Sequence, residues 1–280
     1  MIIFQIGDRM KIFNRLYEDY FKKSRLPQYE NLLRYAKDHH YQVVGVLEFF
    51  DLVNENKINN NSRIIVNRHD IDTSPKVARK MFLIEKRVLG QEGSSTFYFR
   101  NSTLNVGLIK EIEQSGYETG YHYEDVATYT KKKGLKNRES ILKELPAIRE
   151  QFKRSLSNYR AITGTESATV ASHGDFINTR YDIQSVEILK DISLRKELGI
   201  LVEAYDNSIC SFVNERFADQ VLLAGFSDKV VESINNNVPC IMMLTHPRNW
   251  EVDVWANTVE NFVRIFEDLR YRLLLFNSKR

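Results

Sequence analysis

Cysteine is nearly absent: two occur in 280 residues, Cys210 and Cys240, each beside apolar neighbours in SICSF and VPCIM. That excludes a disulfide scaffold and predicts two buried free thiols. Long hydrophobic runs are missing too, since nothing approaches the roughly eighteen uninterrupted apolar residues of a membrane span. The opening stretch, MIIFQIGDRMKIF, lacks a basic start followed by a long apolar segment, so no signal peptide is expected. With so few cysteines, the expected location is the cytoplasm. Nor is one sign of charge in excess: 40 basic and 37 acidic residues are intermixed, with a net charge of +3. That balance does not suggest nucleic-acid binding, for which a basic face or stripe is expected, and KKKG at 131–134 reads as a solvated helix end or loop. The five prolines are scattered, with no Gly/Ser/Pro-rich linker and no internal repeat. The expectation is one domain of ordinary globular composition.

What the chain does contain is an alternation of strand-length and helix-length patterns. RIIVNRH (63–69) is a β-branched run of strand length. SSTFYF (94–99), YETGYHY (117–123), SATVAS (167–172), LGILVEAY (198–205), QVLLAG (220–225) and VPCIMMLTH (238–246) read as further strands, and YQVVG opens with a short one. Helical spacing fills the intervals: 29–40, 103–116, 136–156 and 259–276, with a helix opened by Ser74-Pro75 and closed near Gly90. Strands alternating with helices predict a mostly parallel sheet. Their number favours an α/β fold of the distorted or incomplete (β/α) barrel kind over an open doubly wound sheet. A single barrel domain over 1–280 is expected, with 1–60 as an N-terminal helix-and-strand extension packed on it.

In such barrels the active site lies at the carboxyl ends of the strands. Polar residues collect there. His69, Asp70 and Asp72 follow the first long strand, His122 closes YETGYH, His173 closes ATVASH and His246 closes IMMLTH. Imidazole and carboxylate ligands suit zinc and similar divalent ions, and such a set suits metal-assisted hydrolysis. Asp70 and Asp72 are two apart, so in an extended chain they face one side and His69 the other. One carboxylate then binds metal while the other acts as base, and His69 packs. A plainer reading makes one of the aspartates a cap for the helix at Pro75.

Taken together, NRHDID, STFYFR, GYETGYHYED, SHGD and LTHPRNW resemble, in order and spacing, the polysaccharide deacetylase superfamily (carbohydrate esterase family four). The likeness covers roughly 62–250 and is to its divergent cytoplasmic branch of surface-polysaccharide biosynthesis proteins. It implies a distorted barrel holding a divalent metal, zinc foremost, with cobalt, manganese or nickel as substitutes. By resemblance Asp70 is the base, Asp72 the metal carboxylate, His122 the first metal histidine and His246 the acid toward the leaving amine. The family's second metal histidine would fall on Val126, and its Arg-containing third motif is absent. For the third ligand His173 is favoured over Glu124, Asp125 or His246. Around this set, Arg100 either binds an anionic group of the substrate or pairs with a nearby carboxylate. Glu124 is a further substrate-side candidate, and Trp250 either stacks on a sugar ring or packs in the core.

Two readings follow. One is a metal-dependent hydrolase removing an N-acyl group from an amino sugar or glycan precursor. The other is a non-catalytic carbohydrate-binding or assembly protein on the same barrel, with a carbon–nitrogen hydrolase of non-sugar amides as a third possibility.

Overall fold

The computed structural model describes residues 15–220 and 225–277. The stretch read for a leader, 1–13, lies outside the described residues, as does 221–224 of the strand expected at 220–225. Eight parallel strands form one sheet: β1 (Gln42–Val44), β2 (Ile64–Ile71), β3 (Thr96–Phe99), β4 (Glu118–Tyr123), β5 (Thr169–Ser172), β6 (Val202–Glu203), β7 (Glu215–Ala218) and β8 (Cys240–Thr245). Their order is β6-β5-β4-β3-β2-β8-β7. β2 is the hub. One edge pairs with β8 along Ile64–His69, while the other is shared by β1 over the first residues and β3 over the last. Among the described residues the curled sheet does not close, since β6 and β7 are its two edges. The segment expected as an N-terminal extension therefore contributes β1 to the sheet itself.

Alternation along the strands divides the core in two. Ile64 and Val66 of β2, Tyr98 of β3, Ala171 of β5 and Cys240 and Met242 of β8 pack together inside the curl. Ile65, Ile71, Phe97, Tyr121 and Ile241 face the outer helices. Both cysteines are buried and free. Gly120 is required where β3, β4 and β5 crowd together. A Cβ there would sit 2.6 Å from the Tyr98 ring and 2.8 Å from the Thr169 carbonyl oxygen.

The helices include α1 (Leu26–Asp38), α2 (Val46–Asn54), α3 (Pro75–Leu89), α4 (Val106–Glu113) and α5 (Asp125–Lys133). The helix predicted at 136–156 is two, α6 (Arg138–Lys143) and α7 (Leu145–Thr163). Pro146 lies in the first turn of α7, where its missing N–H leaves no bond unmade. Later come α8 (Phe176–Tyr181), α9 (Ile192–Glu197), α10 (Asn207–Cys210), α11 (Phe226–Asn235), α12 (Pro247–Trp250) and the long α13 (Val254–Asn277). Among the described residues, no helix is long and apolar enough to cross a membrane.

Candidate active site

One parity of the strands builds the site. On β2 the interior positions run Ile64, Val66, Arg68, Asp70; on β4 they end in His122; on β5 Ala171 leads to His173; on β8 Met242 leads to His246. Apolar side chains fill the lower layers, and polar ones occupy the last layer at the carboxyl ends. β2 runs two residues further than its β-branched core predicts, which carries Asp70 to the rim, and Asp72 follows in the bend. Ser74 takes the capping role before Pro75: its hydroxyl oxygen accepts from the Val77 amide at 3.2 Å, leaving both aspartates for the site.

His122 is aimed by its neighbour strand. Its Nδ1–H donates to the Ala171 carbonyl at 2.9 Å, so Nε2 points inward. That Nε2 lies 3.2 Å from Asp72 Oδ1 and 3.5 Å from Asp70 Oδ2. His173 enters from β5 with Nε2 at 3.4 Å from the same Asp72 Oδ1, and its Nδ1 faces Glu124 Oε2 at 3.3 Å. Asp72, His122 and His173 are all buried, and one donor atom of each lies within 4.8 Å of the others. Buried Asp72 Oδ1 has no hydrogen-bond partner of its own. A carboxylate oxygen orphaned between two imidazole nitrogens fits a divalent ion. The trio is thus positioned to bind a metal.

The charges are mutually tuned. Burial alone would raise the Asp72 carboxyl; His173, His122 and His246 outweigh it and hold it well below the ordinary carboxylate range. Burial alone would likewise depress the His122 imidazole, but Asp70 and Asp72 lift it above its ordinary value. Asp70 is lowered, with the guanidinium of Arg68 the strongest influence opposing burial. That Arg68 is the main feature the sequence reading missed. It is buried one turn of the pleat below Asp70 and grips it with two bonds, Nη2 to Oδ2 at 2.7 Å and Nε to Oδ1 at 3.2 Å. The guanidinium also stacks on the Tyr205 ring, 4.4 Å from its centroid.

Asp219 was missed as well. His246 Nδ1 lies 2.7 Å from Asp219 Oδ1, and the His246 amide donates to Oδ2 at 2.8 Å. Burial would lower this imidazole, yet Asp219 outweighs it, helped by Asp72 and Asp70, and raises it to about 9. Nε2 faces Asp72 Oδ2 at 4.0 Å.

The remaining candidates fall outside the centre. Trp250 is placed in the core, 3% exposed, against Tyr29 and Phe226, with its indole N–H donating to Asp219 at 3.0 Å. No face of the ring is open to a sugar; its N–H instead steadies the carboxylate behind His246. Arg100 is buried, its two terminal nitrogens held by Glu124 at 2.8 Å, Glu260 at 3.1 Å and the Asp72 carbonyl at 3.2 Å, while its Nε has no partner among the described residues. It braces the wall rather than presenting a free cation. Glu124 is spent between Arg100 and His173; burial would raise it, but these partners hold it down to about 2. Asp125 turns away to Tyr121, Ser155 and Gln151. His69 faces outward, bonded to Glu85 at 2.6 Å and Thr245 at 2.5 Å.

No protein-family model matches the chain, and no curated protein matches it significantly. Solved structures do. A CE4-family pseudoenzyme from Bacillus anthracis aligns with 75% of this chain at 10% identity and a TM-score of 0.39. The alignment spans 63% of that protein's own chain. Peptidoglycan deacetylase PdaC from Bacillus subtilis aligns with 77% of this chain and 99% of its own, at 11% identity. Its TM-score is 0.30, and a variant of it scores 0.31. Likeness of this size carries no weight for the reaction.

Proposed function

We propose that the protein is a metal-dependent hydrolase that removes an N-acyl group, acetyl foremost, from an amino sugar or glycan precursor in cytoplasmic surface-polysaccharide biosynthesis. The observation that carries this reading is the meeting of Asp72, His122 and His173 at one buried point, with Asp70 and the Asp219–His246 pair on the same rim. A divalent ion held by the three, zinc foremost, would acidify a water and polarise the acyl carbonyl. Asp70, whose Oδ2 is 3.5 Å from His122, would take that water's proton. The water's oxygen would bond to the carbonyl carbon, the carbon–nitrogen bond would break as the carbonyl re-forms, and the departing nitrogen needs a proton at neutral pH. His246, raised to about 9, would give one from Nε2, the ring nitrogen that the Gln220 side-chain amide approaches at 2.8 Å. The products are a carboxylate and a free amine.

The substrate has room beside His173. A cavity of about 480 Å³ is lined there by Ser172, Asn178, Ser185, Glu203 and Tyr205, among others. Tyr205 is 46% exposed and takes over the stacking role expected of Trp250, its amide fixed by Glu203 at 2.7 Å. One observation favours a binding protein instead: the two-bond grip of Arg68 makes Asp70 a weaker base.

A panel of N-acetylated sugars, free, nucleotide-linked and lipid-linked, incubated with zinc- or cobalt-loaded protein separates the readings. Amine release that disappears in Asp70→Asn supports the hydrolase. Sugar binding without release from any member of the panel supports the binding protein.

A further inference from the structure

Among the described residues, the last helix leaves an apolar face with no covering element, and α13 docks on the domain through one side. Asn257 is fully buried and donates to the Asp19 carbonyl at 2.8 Å, Glu260 meets Arg100, Glu267 meets Lys131, and Tyr271 bonds Tyr181 at 2.7 Å. Opposite that side stand Trp255, Val259, Phe262, Phe266, Leu269 and Leu273, exposed by 78, 43, 58, 66, 52 and 63%. Their spacing alternates four and three residues without a break. This is the seam spacing of two packed helices, broadened by Val263 and Ile265 beside it, exposed by 44 and 55%.

Size argues the same way. The three aromatics alone present roughly 400 Å², already the whole of the largest apolar patch on a typical monomer, about 300–600 Å². Adding Val259, Leu269 and Leu273 moves the stripe toward the ~800 Å² that each partner contributes to a stable complex. A seam of this kind is self-complementary, as an isologous two-fold contact requires.

Charge sets the direction. The seam's flanks are uncharged in the first half (Ala256, Thr258, Val263, Ile265) and carry Arg270 and Arg272 in the second. Arg272 is paired with Asp268 of its own helix at 2.8 Å, yet parallel pairing would still gather both Arg270 guanidinium groups and both Arg272–Asp268 pairs at one end. Antiparallel pairing sets each pair of arginines beside an uncharged stretch and opposes the helix macrodipoles. We infer that α13 is the interface of a homodimer, two copies meeting antiparallel along the Trp255–Leu273 seam. Because Glu260 of the same helix braces Arg100 and hence Glu124, dimerisation would also steady the wall behind His173.

Sedimentation velocity of the full chain from 1 to 100 µM tests this. The wild type is expected to sediment as a dimer. A Phe262→Glu/Phe266→Glu chain and a Phe262→Lys/Phe266→Lys chain should each self-associate on the order of 100-fold more weakly. Mixing the two should restore a dimer, since antiparallel pairing sets position 262 near position 266. Circular dichroism reports whether each chain is folded, and a neutral Phe266→Ser chain, expected about 10-fold weaker, serves if a charged one is not. A monomeric wild type overturns the inference, as do charged variants that stay dimeric or a mixture that stays monomeric. A monomer that instead binds anionic lipid vesicles through this face would also overturn it, assigning the seam to a membrane surface.

Discussion

Replacing Arg68 by methionine removes one half of a buried ion pair and leaves the other half in place. Arg68 and Asp70 side chains are 1 and 3% exposed, so water cannot take over the lost bonds. An uncompensated buried charge of this kind costs about 3–5 kcal/mol. The pH dependence identifies the cause. In the wild type Asp70 is held below its ordinary value, so its pairing stabilises the fold above pH 3.8 and is lost as pH falls. Without Arg68 the opposition to burial is greatly reduced, the carboxyl rises, and the variant's deficit should grow as pH climbs above 3.8. Urea unfolding at pH 4.5 and 7.5 should show a small deficit at the first and the full loss at the second. An Arg68→Met/Asp70→Leu double variant, with both charges gone, should recover most of the stability yet have no activity. A single-variant deficit under ~1 kcal/mol, or one independent of pH, would refute the argument.

Other consequences follow from the same geometry. Asp219→Asn removes the anion behind His246: metal-free wild type should lose roughly 3 kcal/mol as pH rises from 6.5 to about 9, because a raised imidazole stabilises the fold below its unfolded pKa. The D219N chain should lack that slope in parallel urea titrations. Metal binding must displace a proton from His122, whose pKa is raised, so apparent zinc affinity should fall as pH drops below neutrality. Calorimetry in buffers of different ionisation enthalpy measures the protons released, and none released would contradict the assignment. Trp250→Phe keeps the packing against Tyr29 and Phe226 but deletes the N–H to Asp219, and should lower turnover several-fold with little change in KM. An increase confined to KM would instead return Trp250 to sugar binding.

Much of this was legible because a parallel barrel puts chemistry where apolar runs stop. His122, His173 and His246 each end such a run, and the period of two along β2 separated Asp70 from His69. The misses have physical causes. Arg68 sits inside a run that otherwise reads as buried strand, and nothing local says that a guanidinium there is neutralised by the carboxylate two residues on. Asp219 follows β7, a half-exposed edge strand spelling ERFA, whose weak pattern loses to the more apolar QVLLAG after it. Trp250 lies four residues past His246, but the short turn of α12 carries its ring into the core. Only the direction of a side chain could separate that from a place on the rim, and sequence spacing does not contain it. The exposed side of α13 was hidden for a similar reason: helical period marks an apolar face without saying what covers it.

The central claim is that Asp72, His122 and His173 form one metal site. Equilibrium titration of tag-free, metal-stripped protein with zinc, against a chelating indicator, measures it directly. The account predicts one high-affinity equivalent per chain, lost in His122→Ala and weakened at least ~10-fold in His173→Ala, while both variants stay folded by circular dichroism. A folded wild type that binds no zinc, or a His122→Ala chain that binds it as well as wild type, would contradict it.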